Sequence, residues 1–134
     1  MIYGIGTDIA QVSRFEKWAR NEALLFRVFA DAERCAVTSN IKAMSRHYAA
    51  RFAAKEAFAK ALGTGFIGLT LKDFWVVKDE NGKPAFSFGA STKHMLAERV
   101  GPCVVHLSMS HEKEYATAFV VIEKEAGCDA RKDS

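Results

Sequence analysis

The sequence predicts an α+β fold, and three observations carry that reading. Elements of both kinds follow one another in the order β-α-α-α-β-β-α-β-β, without the regular βαβ alternation that builds a parallel sheet. An alanine-rich stretch over residues 41–62 contains neither Gly nor Pro, the pattern of one long helix. Asn81-Gly82, set between two apolar runs, marks a hairpin rather than a crossover.

Each element has its own signal. Residues 1–7 alternate and are rich in β-branched and aromatic side chains, which predicts a strand ending at Gly6-Thr7-Asp8. Ser13 and Glu16 have the spacing of a capping box, so a helix is expected from there to Arg20. Leu24 to Phe29 form an apolar patch with Arg27 inside it, and Asp31 is placed to cap a short helix reaching about Thr38. The long helix runs from Ile41 to Leu62 and stops at Gly63, a good residue just beyond a helix end. A glycine-rich loop over 63–68 leads to a strand at Phe74–Lys78, a two-residue turn at Asn81-Gly82 and a strand around Ala85–Phe88. A helix follows over Ser91–Val100, then a closing hairpin of Cys103–Ser110 and Ala116–Glu123. Residues 1–123 read as one domain and 124–134 as a polar, frayed tail.

Composition excludes several classes. The 134 residues are 49% apolar and 26% charged, as in a soluble globular protein, so a disordered or fibrous chain is excluded. No apolar run approaches the roughly 18 residues that cross a bilayer, and no membrane association is expected. No basic leader precedes the first apolar residues, so a cytoplasmic location is expected. Nineteen Lys and Arg against 16 acids give a net charge of +3, too small an excess to imply nucleic acid, and no stripe of basic and aromatic residues supplies one. Cys35, Cys103 and Cys128 show no CxxC spacing and read as reduced thiols.

Three constellations could carry chemistry. Gly63, Gly65 and Gly68 match G-x-G-x-x-G, but a helix precedes them and a strand follows, the reverse of a dinucleotide site. Such a loop either brings backbone N–H groups to a phosphate or simply stops a helix. His111-Glu112 followed by Tyr115 lacks the second histidine of a zinc motif, and neither Ser108 nor Ser110 lies in a nucleophile elbow. The third set is the most informative. Asp8 stands at a strand end after two glycines, while Phe52, Glu56 and Lys60 recur at i, i+4 on a helix face beside Ala49 and Ala53. A face of Ala and Phe is a packing face, so Glu56 and Lys60 are expected to be partly buried and to need a metal, a ligand or each other. The alternative is an ordinary surface Glu–Lys pair.

These residues also carry a resemblance. Ile5-Gly6-Thr7-Asp8-Ile9 with Arg14, the run from Arg51 through Lys55-Glu56-Ala57 and Lys60-Ala61-Leu62 to Gly63-Thr64-Gly65, and Asn81-Gly82-Lys83-Pro84 resemble the holo-(acyl-carrier-protein) synthases. These are the small bacterial type of 4′-phosphopantetheinyl transferase. His106 to His111 and Ala116 to Glu123 fit the same family, and the resemblance spans residues 1 to about 123. It implies a small antiparallel sheet with one long helix packed on it, assembled as a homotrimer with active sites between subunits. It also implies Mg²⁺ dependence and transfer of the phosphopantetheine of coenzyme A to a serine of apo-acyl carrier protein, releasing 3′,5′-ADP, in support of fatty acid biosynthesis.

Carried over residue by residue, the resemblance makes Asp8 and Glu56 the metal ligands and Lys60 the catalytic cation at the leaving oxygen. Glu56 or a metal-bound water would take the serine proton. Nucleotide contacts would come from Arg51, Lys55, Gly63, Thr64, Gly65, Pro84 and His106, and His111 keeps the family's second histidine position. Acyl carrier proteins are strongly acidic around the modified serine, so a basic, partly apolar surface should face them. Arg14, Trp18, Phe26 and Arg27 suit that requirement; Trp18 lies at i+4 from Arg14, with core packing as its alternative role.

Overall fold

The computed structural model describes residues 1–34 and 40–126. A three-stranded antiparallel sheet has the order β1 (Ile2–Gln11), β5 (Tyr115–Lys124), β4 (Cys103–His111), and a separate hairpin pairs β2 (Phe74–Lys78) with β3 (Pro84–Phe88). The helices are α1 (Phe15–Ala19), α2 (Glu22–Val28), α3 (Ile41–Leu62) and α4 (Ala90–Arg99). The sequence-predicted bounds of α3 and β2 coincide with these. Among the described residues no helix is long and apolar enough to cross a membrane.

Helix α3 is the axis of the core. Asn40 caps its start by accepting the Ala43 N–H at 3.0 Å, and Gly63 ends it with φ at 84°. Its buried residues include Ala49, Ala53, Ala57 and Ala61, small enough for the sheet to come very close. Strand β1 answers with Gly4, Gly6 and Ala10 on the face toward the helix, paired across the ladder with Ile122, Val120 and Ala116 of β5. A Cβ on Gly6 would stand 1.8 Å from the Ala57 carbonyl oxygen, and one on Gly4 1.9 Å from that of Ala61. The two glycines therefore set the helix–strand distance. On the opposite side of α3, Phe58 packs against Phe74, Phe86 and Phe88 with ring centroids 4.9–5.5 Å apart, joining the hairpin to the helix.

Several local expectations are corrected. β1 continues past Asp8 to Gln11, because Ile9, Ala10 and Gln11 keep their pairing with Thr117, Ala116 and Tyr115. The capping-box helix over 13–20 is instead a 3₁₀ turn at Val12–Arg14 followed by α1, and Ser13 caps nothing; burial of Val12 and Phe15 decides the local geometry. The apolar patch is helix α2, capped by Asn21. Asp31 begins only a 3₁₀ turn, Asp31–Glu33, and residues 35–39 of the expected helix lie outside the described residues, as does the tail beyond residue 126. The β2–β3 connection is not a two-residue turn. Gly82 alone adopts positive φ, the Gly82 N–H bonds the Asp79 carbonyl, and the Asp79 carboxylate accepts the Asn81 and Lys83 N–H groups. That is a type I turn closed by a glycine bulge.

Candidate active site

The close approach of β1 and α3 brings three of the singled-out residues together. Asp8 shares the helix-facing side of β1 with Gly6 and Ala10, and Lys60 lies one turn beyond Glu56 on α3. The Lys60 ammonium donates to the Asp8 carboxylate at 3.2 Å and to the Thr7 carbonyl at 3.0 Å. Glu56 is half-buried, and its carboxyl is pushed up from the ordinary glutamate range by burial and then by the Asp8 charge; Lys60 and Arg14 pull it the other way. Two carboxylates and two cations thus share one field. The Lys60 side chain is 51% exposed, more open than its place on an Ala-rich face implied, because it projects past the edge of β1.

Among the described residues no cluster of three or more His, Cys, Asp or Glu could hold a metal by itself. Asp8 and Glu56 are a pair of hard oxygen donors, and the Asp8 charge adds to the cost of ionising Glu56. That donor set fits Mg²⁺, which takes one or two protein carboxylates and fills its octahedron with phosphate oxygens and water.

The expected nucleotide contacts do not form one group in the chain. Arg51 and Pro84 line a cavity of about 370 Å³ together with the basic side chains of Arg46, His47, Lys78 and His111, the remaining wall being alanine, glycine and methionine. Arg46, His47 and Lys78 were not singled out in the sequence; Arg46 and His47 lie on α3 within one turn or so of Arg51, which was the available signal. Gly63, Thr64 and Gly65 end the same helix, about 18 Å further along its axis. Gly63 and Gly65 have positive φ and open space around them, beside the Lys60 turn.

Lys55 is not at the cleft at all. It is fully buried, with its ammonium 2.8 Å from the Glu33 carboxylate and bonded to the Leu71 and Phe74 carbonyls. Its three donors are satisfied inside the protein, which removes it from the nucleotide contacts. His106 projects from the sheet face opposite α3 and pairs with Glu123 at 3.0 Å, so within one chain it does not meet Asp8.

The surface expected to face a carrier protein is partly aromatic core. Trp18 packs on Phe15, Phe52 and Phe29 at 4.9, 5.1 and 6.3 Å, and the residue is partly buried. Arg14 is exposed at the rim of the Glu56 site, and Arg27 is exposed on α2. Phe26 is 56% exposed, with the Lys72 ammonium 3.6 Å and the Arg34 guanidinium 5.0 Å from its ring centre. Arg34 follows α2 by six residues, whereas Lys72 comes from a turn far from it in sequence; neither was singled out there.

A family model described as the 4′-phosphopantetheinyl transferase superfamily matches residues 4–120. The chain belongs to that superfamily. Within it, the chain is 46% identical over 123 residues to the holo-[acyl-carrier-protein] synthase of Treponema denticola, covering 92% of this chain and 99% of that one. It is 48% identical over 126 residues to the synthase of Clavibacter sepedonicus, covering 93% and 98%. Among solved structures, the synthase from Neisseria meningitidis superposes with a TM-score of 0.79 at 37% identity, covering 92% of this chain and all of that one. A synthase from Bacillus anthracis, solved in complex with CoA (3′,5′-ADP), gives 0.75 at 34% identity, with 93% and 99% covered.

Proposed function

We propose that this chain transfers the 4′-phosphopantetheine group of coenzyme A to a serine of apo-acyl carrier protein and releases 3′,5′-ADP. The observation that carries this reading is the Asp8–Lys60 ion pair beside Glu56, held where β1 and α3 touch. The serine oxygen forms a bond to the β-phosphorus, and the bond from that phosphorus to the bridging oxygen breaks, with its electron pair leaving on 3′,5′-ADP. Glu56, whose proton affinity is raised, is suited to accept the serine proton. Lys60, fixed by Thr7 and Asp8, sets a positive charge at the edge of the site for the leaving oxygen. Asp8 and Glu56 would hold Mg²⁺, which supplies charge neutralisation of the pyrophosphate. The cavity of Arg46, His47, Arg51 and Lys78 suits the phosphates of the nucleotide half, with Pro84 as an apolar wall.

Two protein contacts belong to this reading. The outer face of the sheet carries Ile5, Ile9 and Phe119, each 53–62% exposed, along with Ile2, Val104 and Tyr115. An apolar sheet face of that extent is a surface for further copies of the chain, in keeping with a homotrimer whose sites are shared and to which His106 contributes across the interface. Arg14, Arg27 and Phe26, with the partly buried Trp18, form the basic and aromatic surface for an acidic carrier. Incubation with CoA, MgCl₂ and apo-acyl carrier protein tests the reading. The carrier gains the mass of one phosphopantetheine and 3′,5′-ADP appears in equal amount; a carrier of unchanged mass overturns it.

A further inference from the structure

We infer that Glu33 is a positioning residue for the basic cavity between α3 and the β2–β3 hairpin. The inference rests on the proposed transferase reading, in which that cavity receives the nucleotide. Glu33 is buried and touches both walls. Its carboxylate takes the Lys55 ammonium of α3 at 2.8 Å and, through the other oxygen, the Val76 N–H of β2 at 3.0 Å. Its backbone carbonyl accepts the Nε2–H of His47, a side chain that lines the cavity, at 2.5 Å. Lys55 adds bonds to the Leu71 and Phe74 carbonyls at the start of the hairpin.

The distances along the chain are short. Lys55 is one turn beyond Arg51, and Val76 is two residues before Lys78, so each anchored atom lies beside a cavity cation. The Phe58 cluster also joins helix to hairpin, but apolar contacts are not directional and tolerate sliding of one element over the other. Charge-assisted hydrogen bonds to a main-chain N–H and two carbonyls fix the register. A buried ion pair adds little stability over apolar residues of the same volume, whereas loss of one member leaves an unpaired buried charge. Its distinctive contribution here is geometric: it sets the spacing between Arg51 and His47 on one side and Lys78 and Pro84 on the other.

The test compares full-length wild type with the double variant Glu33→Leu/Lys55→Met, which leaves no buried charge and keeps the volume, and with the single variant Glu33→Gln. Calorimetric titration with 3′,5′-ADP and steady-state kinetics are read at a temperature where every variant used is folded by circular dichroism. The double variant is expected to melt cooperatively, to bind 3′,5′-ADP at least tenfold more weakly and to raise KM for CoA alike. Its kcat at saturating CoA and its KM for carrier protein should stay within threefold. Wild-type nucleotide affinity in the folded double variant, whatever its melting temperature, would make the pair purely structural and overturn the inference. A wild type that binds no 3′,5′-ADP would overturn the inference together with the reading beneath it. A wild type that binds, beside a double variant that binds equally well, overturns the inference alone.

Discussion

Substitution of Gly6 by Ala tests whether the active site depends on the contact between β1 and α3. The added Cβ would lie 1.8 Å from the Ala57 carbonyl oxygen and 2.8 Å from both the Ala57 carbonyl carbon and the Ala61 nitrogen. Ordinary contact begins near 3.4 Å, so strand and helix must part by about 1.6 Å, the difference of 3.4 and 1.8. The obstructing atoms are main chain, and no rotamer change relieves them. Overpacking of this kind costs about 3 kcal/mol, the upper end of its usual range. In a chain of this size that lowers Tm by about 10 °C. A retreat of that size also takes the Lys60–Asp8 contact from 3.2 Å beyond hydrogen-bond reach. A misplacement near 1 Å in a site that works by positioning costs on the order of 100-fold in rate. Carrier modification followed by mass spectrometry below the variant's Tm reads the rate, and thermal melts read the stability. Wild-type kcat in a folded Gly6→Ala variant would refute the reasoning, and so would rescue by Ala57→Gly, because the clash is with a carbonyl that every residue retains.

Other consequences can be checked in the same preparation. Reversal of charge in Lys72→Glu or Arg14→Glu should raise KM for carrier protein about tenfold and leave KM for CoA within twofold, with the difference shrinking as salt rises; equal effects on both substrates would move the docking surface elsewhere. Asp8→Asn should abolish transfer without unfolding the chain, and full activity of this variant in chelator would exclude the carboxylate pair as the cation site. On the proposed homotrimer, Phe119→Glu should shift sedimentation to smaller species, whereas an unchanged mass would leave the outer sheet face without that role. Burial holds the His47 pKa below its ordinary value of about 6.5, with Arg51 and Lys78 lowering it further. The unfolded chain therefore binds the extra proton first, so stability falls as pH drops below about 6.5. A bound phosphate raises the pKa again, so 3′,5′-ADP should bind with proton uptake in that window, measured by calorimetry in buffers of different ionisation heat. His47→Gln should abolish the uptake.

Much of the fold was legible because the strongest signals were local. Helix α3 declares itself through an alanine-rich run free of Gly and Pro and ends at Gly63, and β2 is bounded by turn chemistry on its C-terminal side. Errors gathered where tertiary burial overrides short-range chemistry. The Ser13–Glu16 spacing gave way to the burial of Val12 and Phe15, which needs a tight 3₁₀ turn at the corner of β1. Asn81-Gly82 has the composition of a two-residue turn. The Asp79 side chain, three residues before Gly82, instead satisfies two loop N–H groups and favours the longer bulged form. Sequence reading that ranks dipeptides without their flanking carboxylates misses this.

The candidate site divides along the same line. Asp8, Glu56 and Lys60 drew notice through a carboxylate after two glycines and i, i+4 charges on an alanine-rich face. An ordinary surface Glu–Lys pair fitted the spacing equally, and the resemblance to the holo-(acyl-carrier-protein) synthases made the choice. Lys55 and Lys60 are both lysines of one helix, and spacing alone cannot say which of them meets solvent. The angular step from Lys55 to Lys60 is about 140°, the remainder of five residues at 100° each. That step carries one side chain out beside β1 and the other in beneath the β2–β3 hairpin. Its destination is fixed only when Phe58 docks on Phe74 and Glu33 arrives from a turn 22 residues earlier to receive the charge. The neighbours of Lys55 at i±3 and i±4 on α3 are Arg51, Phe52, Phe58 and Ala59, three of them apolar, so its face allows burial without requiring it. Burial then requires an acid from elsewhere in the chain. Glu33 supplies it, but Asp31 and Arg34 on either side make it one charge among several, and nothing in the sequence singles it out.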